Sequence, residues 1–174
     1  MPATICFAHG KESGPWGRKI SALAGVARRH GLAVQSPDFS NTMDPDARVA
    51  QLLAAGPPRG HRLILAGSSM GGYVATVASR TLQPAGLFLM APAFYMEGYE
   101  EDITPGSWHT EVVHGWRDEV IPPINSWRFA QTHRARLHML DSDHGLADAV
   151  PEICALFDLF LETTAGTHAA AGQL

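Results

Sequence analysis

Apolar positions along the chain fall into short continuous runs separated by stretches of helical spacing. Thr4-Ile5-Cys6-Phe7-Ala8 reads as a buried strand, and 21–29 reads as a helix that stops at Gly31. Leu32-Ala33-Val34-Gln35 is a second strand, ended by Pro37. Asp44 and Pro45 have the character of an N-cap and a first helical residue, which opens a helix to about Ala55, before Gly56-Pro57-Pro58. Leu63-Ile64-Leu65-Ala66 is a third strand, and a helix covers 73–80 after a group of glycines. Gly86-Leu87-Phe88-Leu89-Met90 is a fourth. Glu111-Val112-Val113 is a fifth, followed by a helix near 126–131, and Leu137-His138-Met139-Leu140 is a sixth. A helix from about Pro151 to Leu161 closes the pattern, and the small polar residues 163–174 read as a frayed end.

Strands that are apolar throughout and alternate with helices imply a sheet covered on both faces. The expected architecture is therefore α/β, a three-layer α/β/α sandwich around a six-stranded, mainly parallel sheet. No repeat or long linker divides the chain, so 1–163 is expected to be one domain and 164–174 a flexible tail. The longest irregular insertion, 94–108, carries Phe94, Tyr95, Met96, Tyr99 and Trp108. It suits a small lid and a packed surface loop equally.

Composition narrows the function classes. Thirteen Lys and Arg against seventeen Asp and Glu give a formal charge of −4, and no basic stripe stands out. The densest basic stretch, 128–136, is sparse enough to be a solvated helix face, so a nucleic-acid partner is not expected. Cys6 and Cys154 lie in apolar segments and read as small core hydrophobes, which suits a reducing compartment. MPATICFAHG has no signal-peptide pattern, and no apolar run approaches the ~20 residues of a membrane span. A cytoplasmic location is expected.

Ala66-Gly67-Ser68-Ser69-Met70-Gly71-Gly72 stands where the third strand meets a helix, and Gly67-x-Ser69-x-Gly71 fits a nucleophile elbow. Such a turn exposes a serine on a strained backbone, and small neighbours let the helix pack against the strand. The Met70 amide then points where an oxyanion would form. Ser68 suits the role less well, because Ala66 and Met70 occupy its glycine positions. A serine needs a base, and the base needs an orienting acid. His114-Gly115-Trp116-Arg117-Asp118-Glu119-Val120-Ile121-Pro122 follows the fifth strand, and Asp141-Ser142-Asp143-His144-Gly145 follows the sixth. Parallel strands bring those loops to one rim with Ser69. Asp118 also suits a helix cap, Glu119 is a reserve acid, and Asp141 and Asp143 suit the shaping of the His144 loop. A second oxyanion donor is expected after the first strand, at the amide of Lys11 in His9-Gly10-Lys11, where His9 reads as a structural hydrogen-bonding residue. Trp16 either lines the pocket or anchors the next helix; Phe94, Tyr95 and Trp116 are further pocket candidates. No metal site is expected: His109 and His114 point to opposite faces of a strand, and no H-E-x-x-H or cysteine pair is present. Dinucleotide and phosphate-loop fingerprints are absent as well.

HGKESG, GSSMGG, HGWRDEVIP and SDHG, in that order, together with the β/α alternation, make the chain resemble the α/β-hydrolase family, in particular its small, nearly lidless serine esterases. The resemblance implies strand order 2-1-3-4-5-6, Ser69 as nucleophile, Asp118 as acid, His144 as base, and the Lys11 and Met70 amides as oxyanion donors. It implies a serine hydrolase that cleaves a small carboxylic ester or thioester through an acyl-enzyme, with no cofactor; with no long apolar run in the chain, no membrane partner is expected. The missing large cap leaves substrate choice open, and the sequence leaves oligomeric state open. Two alternatives stand beside this: an idle member of the fold serving as an interaction module, with 94–108 as the partner surface, and a lactone or carbon–carbon bond hydrolase.

Overall fold

The computed structural model describes residues 3–171. Its strands are β1 (Thr4–Ala8), β2 (Ala33–Gln35), β3 (Leu63–Ser68), β4 (Gly86–Met90), β5 (Thr110–Gly115) and β6 (Arg136–Leu140). Its helices are α1 (Arg18–Arg29), α2 (Pro45–Ala54), α3 (Met70–Leu82), α4 (Pro123–His133) and α5 (Val150–Ala171), with a short 3-10 turn at Gly60–Arg62. The strands form one sheet in the order β2-β1-β3-β4-β5-β6. Every pairing is parallel, so the sheet is parallel throughout rather than mainly so.

Alternation along the central strands splits the core into two layers. Ile64, Ala66, Phe88, Met90 and Val113 pack with α1 and α5, whereas Leu63, Leu65, Leu87, Leu89 and Val112 pack with α2, α3 and α4. Asp44 caps α2 as the sequence indicates, accepting from the amides of Asp46 (2.9 Å) and Ala47 (3.2 Å), with Pro45 in the first turn. Such a cap is worth about 1 kcal/mol.

Several boundaries differ from the sequence expectation. Strand β5 extends past Val113 through His114 and Gly115, because His114 is sequestered rather than solvated. Helix α4 starts at Pro123, whose ring fixes the helical φ in advance. Helix α5 passes Leu161 because Thr163 and Thr164 turn their hydroxyls back onto the carbonyls of Leu159 and Phe160 instead of ending the helix. The expected tail, 164–174, therefore overlaps a helix as far as Ala171, and 172–174 lie outside the described residues. No helix among the described residues is long and apolar enough to cross a membrane.

Candidate active site

The turn between β3 and α3 is made by Ser69, whose backbone has φ 55° and ψ −120°, a conformation that costs an L-residue energy. The surroundings enforce it. The Ser69 amide donates to the Met90 carbonyl (2.9 Å), and the Ser69 carbonyl accepts from the amides of Gly72 (2.9 Å) and Ala93 (3.0 Å). The flanking glycines are required by close approach. A Cβ on Gly67 would lie 2.2 Å from the Gly71 carbonyl oxygen, and one on Gly71 would lie 1.9 Å from that of Ala8. Met70 opens α3, so its N–H has no acceptor within the helix and sits at the positive end of the helix dipole.

The loops after β5 and β6 bring two more side chains to this rim. His144 Nε2 lies 3.0 Å from Ser69 Oγ, and His144 Nδ1 lies 2.7 Å from Asp118 Oδ2. Asp118 is buried. Burial alone would raise its carboxyl pKa, but the Ile121 amide, the His144 ring and the Val120 amide outweigh that and hold it below the usual carboxylate range. Both amides donate to Oδ1 at 2.8 Å. Glu119, the reserve acid, is exposed. Asp141 engages Arg117 (2.7 Å), and Asp143 accepts the Gly145 amide (2.9 Å), so both shape the His144 loop.

Ser69, Lys11 and His144 line one cavity of about 560 Å³, whose apolar wall includes Met96, Tyr99, Val120 and Ile121. With 32% sequence identity over 92% of this chain and 99% of the other, and a TM-score of 0.82, the chain is similar to a Xanthomonas campestris pv. campestris protein placed in the alpha/beta superfamily of hydrolases. The chain belongs to the α/β-hydrolase superfamily. The same fold recurs in the ydeN gene product of Bacillus subtilis (15% identity, 92% and 99% coverage, TM-score 0.78). It recurs also in a Xanthomonas campestris α/β serine hydrolase without lid (19%, 94% and 83%, 0.67). No protein-family model and no curated protein matches the chain.

In this α/β-hydrolase the four pocket candidates read from the sequence do not line this cavity. Phe94 is fully buried against Phe129 (ring centroids 4.4 Å). Tyr95 lies under the Arg128 guanidinium (4.0 Å). Trp16 is half exposed beside Arg28, and its carbonyl accepts from Ser21 Oγ in α1, which is the anchoring alternative. Trp116 lines a separate groove with Ile124 and Trp127. The segment 94–108 is tied to α3 and α4: Asn125 Nδ2 donates to the Phe94 carbonyl (2.8 Å) and Ser79 Oγ accepts the Gly106 amide (2.8 Å). It reaches the cavity through Met96, Glu97 and Tyr99.

Two buried residues near the site were given no site role in the sequence reading. His114 Nε2 lies 2.9 Å from Asp118 Oδ2 and 3.0 Å from the Ile121 carbonyl, and its Nδ1 lies 2.6 Å from Ser126 Oγ. Burial lowers the His114 pKa despite the pull of Asp118, which favours the neutral ring. Both partners of Nε2 are acceptors, so Nε2 carries the hydrogen and Nδ1 accepts from Ser126. His114 thus donates to the oxygen that also receives His144. The signal was available: a histidine inside an apolar strand, four residues before the acid. Arg48 is also fully buried, on the same face of α2 as Leu52. An arginine at an apolar helix position is the pattern that marks it.

Proposed function

We propose that the protein is a serine hydrolase that cleaves a small carboxylic ester or thioester through an acyl-enzyme on Ser69. The observation that carries this reading is the hydrogen-bonded relay from Ser69 Oγ to His144 to Asp118, at 3.0 and 2.7 Å, built on a strained turn, with Ser69 and His144 lining one cavity. His144 Nε2 takes the Ser69 proton as Oγ attacks the substrate carbonyl carbon. Ionised Asp118 accepts from Nδ1–H, fixes the tautomer and stabilises the imidazolium. The Lys11 and Met70 amides receive the oxyanion; a single such donor is worth on the order of 10²–10³ in kcat. As the tetrahedral intermediate collapses, His144 passes its proton to the departing alkoxide or thiolate. A water, deprotonated by His144, then attacks the acyl-enzyme, and Ser69 leaves with the proton.

A cavity of about 560 Å³ with one apolar wall suits a short or medium acyl group. The test is turnover of p-nitrophenyl esters and thioesters of graded acyl length, with Ser69→Ala as control. The reading expects a preference within the series and loss of all turnover in the folded variant. Hydrolysis that survives Ser69→Ala would reject it.

A further inference from the structure

We propose that Arg48 is a positioning residue for the oxyanion site: with His9 it clamps the Gly10–Lys11 peptide so that the Lys11 amide faces the reacting carbonyl. This rests on the reading of Lys11 as an oxyanion donor. Arg48 stands in α2 with no exposed surface. Its Nε donates to the Thr42 carbonyl (2.9 Å), its Nη1 to the carbonyls of Gly10 (3.0 Å) and His9 (3.4 Å), and its Nη2 to the Lys11 carbonyl (3.2 Å) and the Met43 thioether (3.9 Å). All five guanidinium N–H groups are thereby used. Three of the five acceptors belong to the consecutive residues His9, Gly10 and Lys11. None of the five is a carboxylate. Burial lowers the Arg48 pKa, yet a guanidinium stays protonated. A buried cation whose hydrogen bonds go only to carbonyls and a thioether, with the Asp38 carboxylate acting on it at longer range, is a poor choice for stability, where an apolar residue of similar volume serves as well or better. The arrangement makes sense as a device that acts on the loop it grips.

The grip falls on one peptide in particular. The Gly10 carbonyl lies 3.0 Å from Arg48 Nη1 and 2.8 Å from His9 Nδ1. The Phe39 amide donates to His9 Nε2 (2.9 Å), so Nδ1 is the protonated nitrogen and a second donor to that oxygen. The ring is held in this pose by stacking on Phe39 (5.5 Å). The Gly10–Lys11 bond is trans, and in a planar trans peptide the C=O and N–H point in opposite directions. Two buried donors on the oxygen therefore fix the direction of the Lys11 N–H. Gly10 itself lies against the nucleophile: a Cβ there would sit 3.6 Å from Ser69 Cβ.

The clamp also has an electrostatic consequence. A fixed positive charge on the carbonyl end of an amide polarises it and strengthens its N–H as a donor. That gain is larger for an oxyanion than for a neutral carbonyl, so it is realised in the transition state and belongs in kcat rather than KM.

The experiment compares wild type, Arg48→Met and Arg48→Lys on a p-nitrophenyl ester, with phenylboronic acid as a probe of the tetrahedral state. Rates are expressed per site titrated with a fluorophosphonate, which removes any inactive fraction, and melts establish folding. The expected result for Arg48→Met is a fall in kcat on the order of 10²-fold, with KM within about threefold and boronate inhibition weakened in step with kcat/KM. Arg48→Lys, which keeps the charge but loses the fork, follows the same line with a smaller loss, and it carries the test if Arg48→Met does not fold. Wild-type kcat in either folded variant, a loss confined to KM, or unchanged boronate affinity would overturn the proposal. Failure of the underlying reading is separately visible, as wild-type hydrolysis that persists in Ser69→Ala.

Discussion

Gly71→Ala probes the joint on which the candidate site is built. The added methyl would lie 1.9 Å from the Ala8 carbonyl oxygen and 2.4 Å from its carbon, whereas ordinary contact begins near 3.4 Å. The obstacle is strand backbone, so no side-chain rotation relieves it. The first turn of α3 must retreat from β1 by about 1.5 Å, carrying the Met70 amide and Ser69 with it. Overpacking of this kind costs up to about 3 kcal/mol, which in a chain of this size lowers Tm by about 6–12 °C. A displacement of about 1 Å at the reacting groups costs on the order of 10²-fold in rate. Gly25→Ala is the matched control. It places the same methyl in α1, where nothing lies within 4 Å, and should stabilise by about 0.5–1 kcal/mol without changing turnover. Differential scanning calorimetry and ester kinetics read both variants. Wild-type Tm and rate in Gly71→Ala would refute the close-approach argument.

His114→Phe removes a neutral donor from buried Asp118 and leaves Ser126 Oγ and the Ile121 carbonyl short of a partner. Urea unfolding should show a loss of about 2–3 kcal/mol, with reduced kcat, and an unchanged midpoint would count against the assigned tautomer. Glu111 is buried in β5. Burial would raise its pKa, but donors from His109, His138 and Arg136 prevail and hold it at about 2, below the ordinary 4.5. A depressed carboxyl pKa stabilises the fold fully above about pH 4.5 and ceases to do so as pH falls through about 2. Glu111→Gln should therefore cost on the order of 2–3 kcal/mol in urea melts at pH 7 and progressively less below pH 4.5. A difference that does not depend on pH would contradict this.

Local signals located much of the architecture. Continuous apolar runs identified the four central strands, because strands buried on both faces show no polar alternation; the half-exposed edge strands β2 and β6 were legible from shorter apolar runs, and Asp44-Pro45 announced the start of α2. The elbow was legible because a strand-to-helix turn of this kind needs small residues on both sides of Ser69, whether the close contact is local, as at Gly67, or made by β1, as at Gly71. Asp118 and His144 were legible as candidates because parallel topology places their loops at one rim. The aromatic pocket candidates were not, since whether Phe94 or Trp116 faces a cavity depends on which helix packs over it. Arg48 was passed over for a related reason. Its partners, His9 to Lys11, lie nearly forty positions away, and only the fold brings α2 against that loop. The end of α5 was misplaced because threonines that bond back to the helix differ little in sequence from threonines that end one.

The most direct test of the account is reaction of the native protein with a fluorophosphonate, followed by peptide mapping. The account predicts one stoichiometric adduct, on Ser69, formed rapidly in the wild type and far more slowly when His144 is replaced by alanine. An adduct on another residue, or none on the folded wild-type protein, would contradict it.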